Sequence, residues 1–288
     1  MPMTSGESAV HRVSTRSLPR VESRLAAGML ALATAGTLLI ARVSLNAGFV
    51  PALAGSMTTL RLLATLGPAL AAVVLSTTTA DEIERIGLAF VGVFGALAAA
   101  VPTVAVAAAV AITSGGALAA GRRWIRVERH ADWHLLPVVA IVGAVGLSLL
   151  GAIGLEPTTL STFGTHLFLL GGAATPALLA HGRTDWAFGG VVAAALVAVG
   201  TAAPFVTGAV TLVAGGVVGA SLLVLAVGIC GLVTTVSAGV RQRHWSAAIG
   251  AALLVVGGVP ATVPRALAVV LGLLLLVEPR EVSRREGP

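Results

Sequence analysis

The side chains best suited to chemistry in this 288-residue chain are a few arginines and histidines set in apolar sequence. Arg42 and Arg61 flank a short polar gap, and Arg265 stands between two apolar runs near the C-terminus. A guanidinium offers a planar fork of donors that matches a carboxylate or phosphate. Arg42 or Arg265 facing an internal cavity would therefore bind an anion. The expected arrangement is the simpler one, in which each reaches outward to lipid headgroups. His166 lies early in a later apolar run, a few residues after Glu156. An ionisable group at membrane depth is a functional candidate because its burial is costly. Its place near the run's edge favours a structural hydrogen bond to a neighbouring helix over a proton relay. His130 and His134 are one helical turn apart, a usable metal-ligand spacing. Neither Glu128 nor Asp132 shares their face well, so the segment reads as a mixed-charge interfacial helix anchored by Trp124 and Trp133. No metal site is assigned.

The chain contains no HExxH, GxSxG, Walker A, CxxC or dinucleotide fingerprint. Gly219-Ala220-Ser221-Leu222 resembles a serine-protease loop only superficially, without the following glycine or a paired histidine. No catalytic residue and no cofactor is expected, and the chain is read as a non-enzyme.

The elements that must hold these residues are set by composition. Hydrophobic residues make up 57% and charged residues 10%, with a mean hydropathy of +0.99. A soluble domain needs far more polar surface. The apolar runs are 25–41, 62–78, 86–120, 135–155, 163–180, 187–240 and 246–277. About 20 residues span a bilayer core, so the longest runs must be broken. Pro102 divides 86–120, Pro204 to Gly208 divides 187–240, and Pro260, Pro264 and Arg265 divide 246–277. The expected fold is an all-α polytopic bundle of about ten spans. The hairpins within 86–120 and 246–277 are either short full crossings or re-entrant.

All 18 basic residues are arginines, and arginine bias orients a membrane protein. With ten spans, fifteen arginines fall on the N-terminal side and only Arg42, Arg61 and Arg265 opposite. Making 86–120 one helix reverses the later loops and spoils the bias. Both termini are thus expected in the cytoplasm of a cell-membrane protein. Residues 1–24 form an arginine-rich tail, 25–277 the membrane domain and 278–288 a second tail, with the first span uncleaved. Trp124, Trp133, Trp186 and Trp245 should form a cytoplasmic-side belt. Thr79-Ala80-Asp81-Glu82 reads as a capping box opening the third helix. Gly215 and Gly219 form a GxxxG pair in the eighth span, suited to a dimer face or to packing within the chain. Cys230, the one cysteine, reads as a buried structural thiol.

The net charge of +6 is spread over loops, so nucleic acid is not an expected partner. The partners are the lipid bilayer and either a membrane-protein partner or a second copy. In layout, with roughly 300 residues, ten short helices and cytoplasmic termini, the chain resembles the drug/metabolite transporter superfamily. That resemblance implies a small secondary transporter, and no functional position follows from it. Midspan residues are mostly alanine, glycine, leucine and valine, whereas transporters gather polar groups there. The sequence therefore favours a scaffold or accessory subunit, with the transporter as the alternative.

Overall fold

The computed structural model describes residues 18–50, 55–127, 135–179 and 181–277. It is helical, with no strand among the described residues. In chain order the helices are α1 (Leu18–Asn46), α2 (Met57–Thr78), α3 (Glu82–Ala100), α4 (Ala105–Val127), α5 (Leu135–Ala152) and α6 (Pro157–Ala174). They continue with α7 (Arg183–Ala202), the short α8 (Pro204–Val210), α9 (Leu222–Arg241), α10 (Trp245–Gly257) and α11 (Val263–Leu276). Helices suit this sequence because a bilayer leaves no water for unpaired backbone groups. Six of them, α1, α2, α3, α5, α7 and α9, are long and apolar enough to cross a membrane.

Proline places the breaks as expected, but the two hairpins under question differ. Pro102 opens a single tight turn between α3 and α4. Those helices run 19 and 23 residues because each continues into a polar flank at the end away from Pro102. The first hairpin is therefore not short. α10 and α11 have only 13 and 14 residues, about 20 Å each against a hydrocarbon core of about 30 Å.

The run 187–240 is broken twice rather than once. α7 ends before Pro204, and α8 then passes into a π turn, Thr211–Gly215. Gly216 and Gly219 adopt φ of +64° and +70°, which ends this short helix and turns the chain back. α9 begins only at Leu222, capped by the Ser221 hydroxyl, which accepts from Val224 N at 3.3 Å. This gives Ser221 a structural role. It also dissolves the GxxxG pair: Gly215 ends the π turn and Gly219 lies in the following loop, so the two share no helix face.

α11 is the central post of the bundle. Every residue from Arg265 to Leu276 is buried, and the helix packs against α1, α2, α3, α4, α5 and α10. A helix apolar on all sides must be enclosed. Backbones approach closely where glycines face each other across helices. A Cβ on Gly250 would lie 2.6 Å from Gly272 O, and one on Gly87 2.5 Å from Gly115 O. On the outside, Met29, Ile40, Leu63, Phe163, Phe188 and Leu223 are exposed, an apolar surface suited to lipid rather than water. α7 is the most peripheral of the long helices, with 17% of its apolar window buried.

Candidate functional site

The structure brings together the three arginines that break the orientation bias. Arg42 lies one turn before the end of α1, and Arg61 one turn inside the start of α2. Arg265 lies in the first turn of α11. Arg42 and Arg61 line an open cleft of about 620 Å³ with Thr58, Thr59, Thr65 and Thr262. Arg42 and Arg265 line a small recess of about 20 Å³, room for about one water molecule. Arg42 is thus common to both spaces and lies within range of the positive charges of Arg61 and Arg265. Among the described residues no carboxylate forms an ion pair with any of the three.

Helix ends add to the positive field. The first turns of α2 and α11 both reach the cleft, through Thr58 and Thr59 and through Val263 and Pro264. The N-terminus of a helix carries about half a positive charge. At α11 the Thr262 side chain forms no capping bond, and Thr262 lines the cleft.

Arg265 is held inward by the bundle rather than extended from its surface. It is 9% exposed, and its Nη2 donates to Val213 O at 2.7 Å and to Ala214 O at 3.1 Å. These are terminal carbonyls of the π turn, whose residues are half-buried or exposed and which find no partner further along their own helix. The remaining carbonyls there are also met: Thr211 O by Val217 N, Leu212 O by Gly216 N, and Gly215 O by Val259 N at 2.8 Å. Arg265 therefore ties α11 to the end of the α8 turn through dipoles rather than a counter-charge. Arg42 is half-buried and Arg61 exposed.

Behind the recess lies a second space of about 160 Å³, walled by residues such as Phe168, Leu225, Ile229 and Leu254. Leu39 and Ala214 line both spaces. The one hydroxyl in this chamber, on Thr211, donates to Thr207 O within its own helix at 2.9 Å, so the lining is apolar in effect.

The other sequence candidates lie apart. His166 is exposed on α6, and its Nδ1 pairs with Thr162 O at 2.8 Å, so the bond is to its own helix and not to a neighbour. His130 and His134, with Glu128, Asp132 and Trp133, lie outside the described residues. No group of three potential metal ligands occurs among the described residues. Trp186 and Trp245 are about half exposed, but Trp124 is only 8% exposed and belongs to the core. It departs from the expected belt because α4 turns that face inward. Cys230 is half-buried beside Gly189.

At the opposite end of α2, about 33 Å away along that helix, acids and arginines pair off. Asp81 caps α3 by accepting from Glu84 N at 3.0 Å and binds Arg122 at 2.8 Å. The expected box on Thr79 is thereby shifted: its hydroxyl donates to the Glu84 carboxylate at 3.2 Å instead. Glu84 binds Arg123 at 2.5 Å, both side chains nearly inaccessible, and Arg123 also donates to Leu274 O of α11. Asp185 at the start of α7 accepts from Gly182 N and Ser237, and binds Arg241 at the end of α9. Sequence reasoning missed these locks. The signal was present, since the acids open one helix and the arginines close its antiparallel partner.

Among curated proteins and solved structures, none matches the chain. Residues 24–277 match a family described as an integral membrane family of unknown function, and this covers every element of the arginine cluster. With its apolar, multi-helix architecture, the chain is a multi-pass integral membrane protein belonging to that family, DUF8068.

Proposed function

We propose that this protein binds and carries a small anion across the membrane, a secondary-transporter function, and that it makes or breaks no covalent bond. The observation that supports this reading most is the convergence of Arg42, Arg61 and Arg265 on two spaces that share Arg42, with no carboxylate paired to them among the described residues. A scaffold needs no such arrangement. Its arginines would reach the headgroups, whereas Arg265 sits inside the bundle against π-turn carbonyls. Burying a guanidinium at membrane depth costs about 2.5–3.5 kcal/mol on insertion scales, a cost that usually accompanies function.

The proposed topology has ten spans in a cell membrane, with cytoplasmic termini. α10 and α11 form a short hairpin surrounded by protein, and the α8 turn dips from the outer side between α7 and α9. Fifteen arginines then face the cytoplasm, among them those of the three ion-paired locks, and the arginine cleft opens outside. Enclosure by protein is the condition under which broken helices are tolerated at membrane depth.

The test is flux into proteoliposomes containing the purified chain, with chloride, phosphate, acetate and benzoate gradients. At least one anion should enter, and Arg42→Gln and Arg61→Gln should slow it at least tenfold while thermal stability is retained. No flux for any of the four, together with a stoichiometric co-purifying membrane protein, would instead establish the accessory-subunit reading.

A further inference from the structure

The anion site and the apolar chamber share the wall formed by Leu39 and Ala214. This places a cationic recess directly beside a greasy one. Arg42 and Arg265 line the recess. Beyond that wall, the chamber of about 160 Å³ carries no free polar group among the described residues. The space opens to the outside of the bundle past the exposed Val210 and Val255, and a volume of about 150 Å³ accepts a benzene-sized molecule. The recess alone holds about one water molecule, so an acidic group enters it only when the shared wall residue Leu39 moves aside.

We infer that the site takes an amphiphilic organic anion, with its acidic group on Arg42 and Arg265 and its apolar part in the chamber behind Leu39 and Ala214. The inference rests on the anion-binding reading above and adds the substrate class. An inorganic anion would leave the chamber unused. A longer chain would extend past the exposed rim at Val210 and Val255. A ring or a chain of about six carbons fits.

The chamber also explains why the surrounding backbone is arranged as it is. The α8 turn supplies Val210, Thr211, Ala214 and Gly215 to the chamber wall, and Ala214 O to Arg265. One short element therefore contacts both halves of the ligand site. Gly216 ends that element, with φ of +64°, and a Cβ there would collide with the Arg265 guanidinium. Gly216→Ala should therefore displace Arg265 and disturb acid-group binding more than tail binding.

The experiment is equilibrium binding of radiolabelled benzoate to the purified full-length protein, with competition by unlabelled probes. Acetate, butyrate, hexanoate and octanoate test tail length, phosphate tests the charge alone, and benzyl alcohol tests the tail alone. Benzoate should bind, and affinity should rise about fourfold for each methylene buried, ending near hexanoate. Leu196→Trp and Ile229→Phe, which narrow the chamber, should weaken benzoate at least tenfold and far more than they weaken acetate.

Phosphate or acetate competing as well as benzoate would overturn the amphiphile inference while leaving anion binding intact. Failure of every anion to bind would overturn both. Benzyl alcohol binding as tightly as benzoate, with no response to Arg42→Gln, would reduce the chamber to an apolar void and overturn the inference. Affinity rising with every added methylene through octanoate would mark partition into lipid or detergent, and would overturn it too. The chain-length series uses the unaltered protein, so it decides the matter even where a variant fails to fold.

Discussion

Removing the Glu84 carboxylate should destabilise this protein more than any other single loss of charge at its ion-paired end. Glu84 is 2% exposed, and so is Arg123. The carboxylate accepts from Arg123 Nε at 2.5 Å and from the Thr79 hydroxyl at 3.2 Å, while Arg123 holds Leu274 O of the central helix. Glu84→Leu leaves the guanidinium buried without the Glu84 carboxylate. Breaking a buried pair from one side costs about 3–5 kcal/mol. At about 2 °C per kcal/mol for a chain of this size, the melting temperature should fall by about 6–10 °C. The double variant Glu84→Leu with Arg123→Met removes both charges and should recover most of the loss, because a well-packed apolar pair avoids the desolvation cost. Thermal unfolding of the detergent-purified variants, followed by far-ultraviolet circular dichroism, measures both. A drop of under 2 °C for Glu84→Leu, or a double variant no better than the single, would refute the claim that this pair is a buried lock.

Three further outcomes follow from the same geometry. Arg122→Gln, which breaks a pair whose arginine is 38% exposed, should cost under about 1 kcal/mol because solvent replaces the partner, and a melt alongside Glu84→Leu checks the contrast. Gly250→Ala should separate α10 from α11 and cost about 1–3 kcal/mol by overpacking, whereas Gly36→Ala, with nothing within 4 Å of its added Cβ, should be neutral or stabilising by about 0.5–1 kcal/mol. Labelling a Cys230→Ser background from outside intact cells with an impermeant maleimide should modify a cysteine placed at Phe49, 80% exposed beyond α1, and spare one placed at Gln242; the reverse pattern would invert the proposed topology.

Much of the architecture was legible because membrane folding is governed by local rules. Apolar runs must become helices whose backbone is internally bonded, and prolines must interrupt them, so Pro102 and Pro204 marked breaks that the structure contains. The extra turn between α7 and α9 was hidden, because its residues, Pro204 to Ala220, are as apolar as a span. What separates the two cases is left-handed backbone at Gly216 and Gly219, which an alanine- and glycine-rich sequence does not announce. The burial of Trp124 was hidden for a related reason: Arg122, Arg123 and Arg126 surround it in sequence, and only packing decides which way the ring turns.

By itself, then, the sequence determined that this chain is a helical, multi-pass membrane protein, and it singled out Arg42, Arg61 and Arg265 as exceptions to an otherwise one-sided charge distribution. Composition and charge bias suffice for that, because they act on each segment separately. Only the tertiary structure decided that these three arginines meet. They come from α1, α2 and α11, separated by up to 223 positions (265 minus 42) in the sequence. Their meeting depends on α11 threading the centre of the bundle with its first turn facing the ends of the other two. The apolar chamber beside them has the same origin, since a cavity belongs to the packing of several helices and to no one of them.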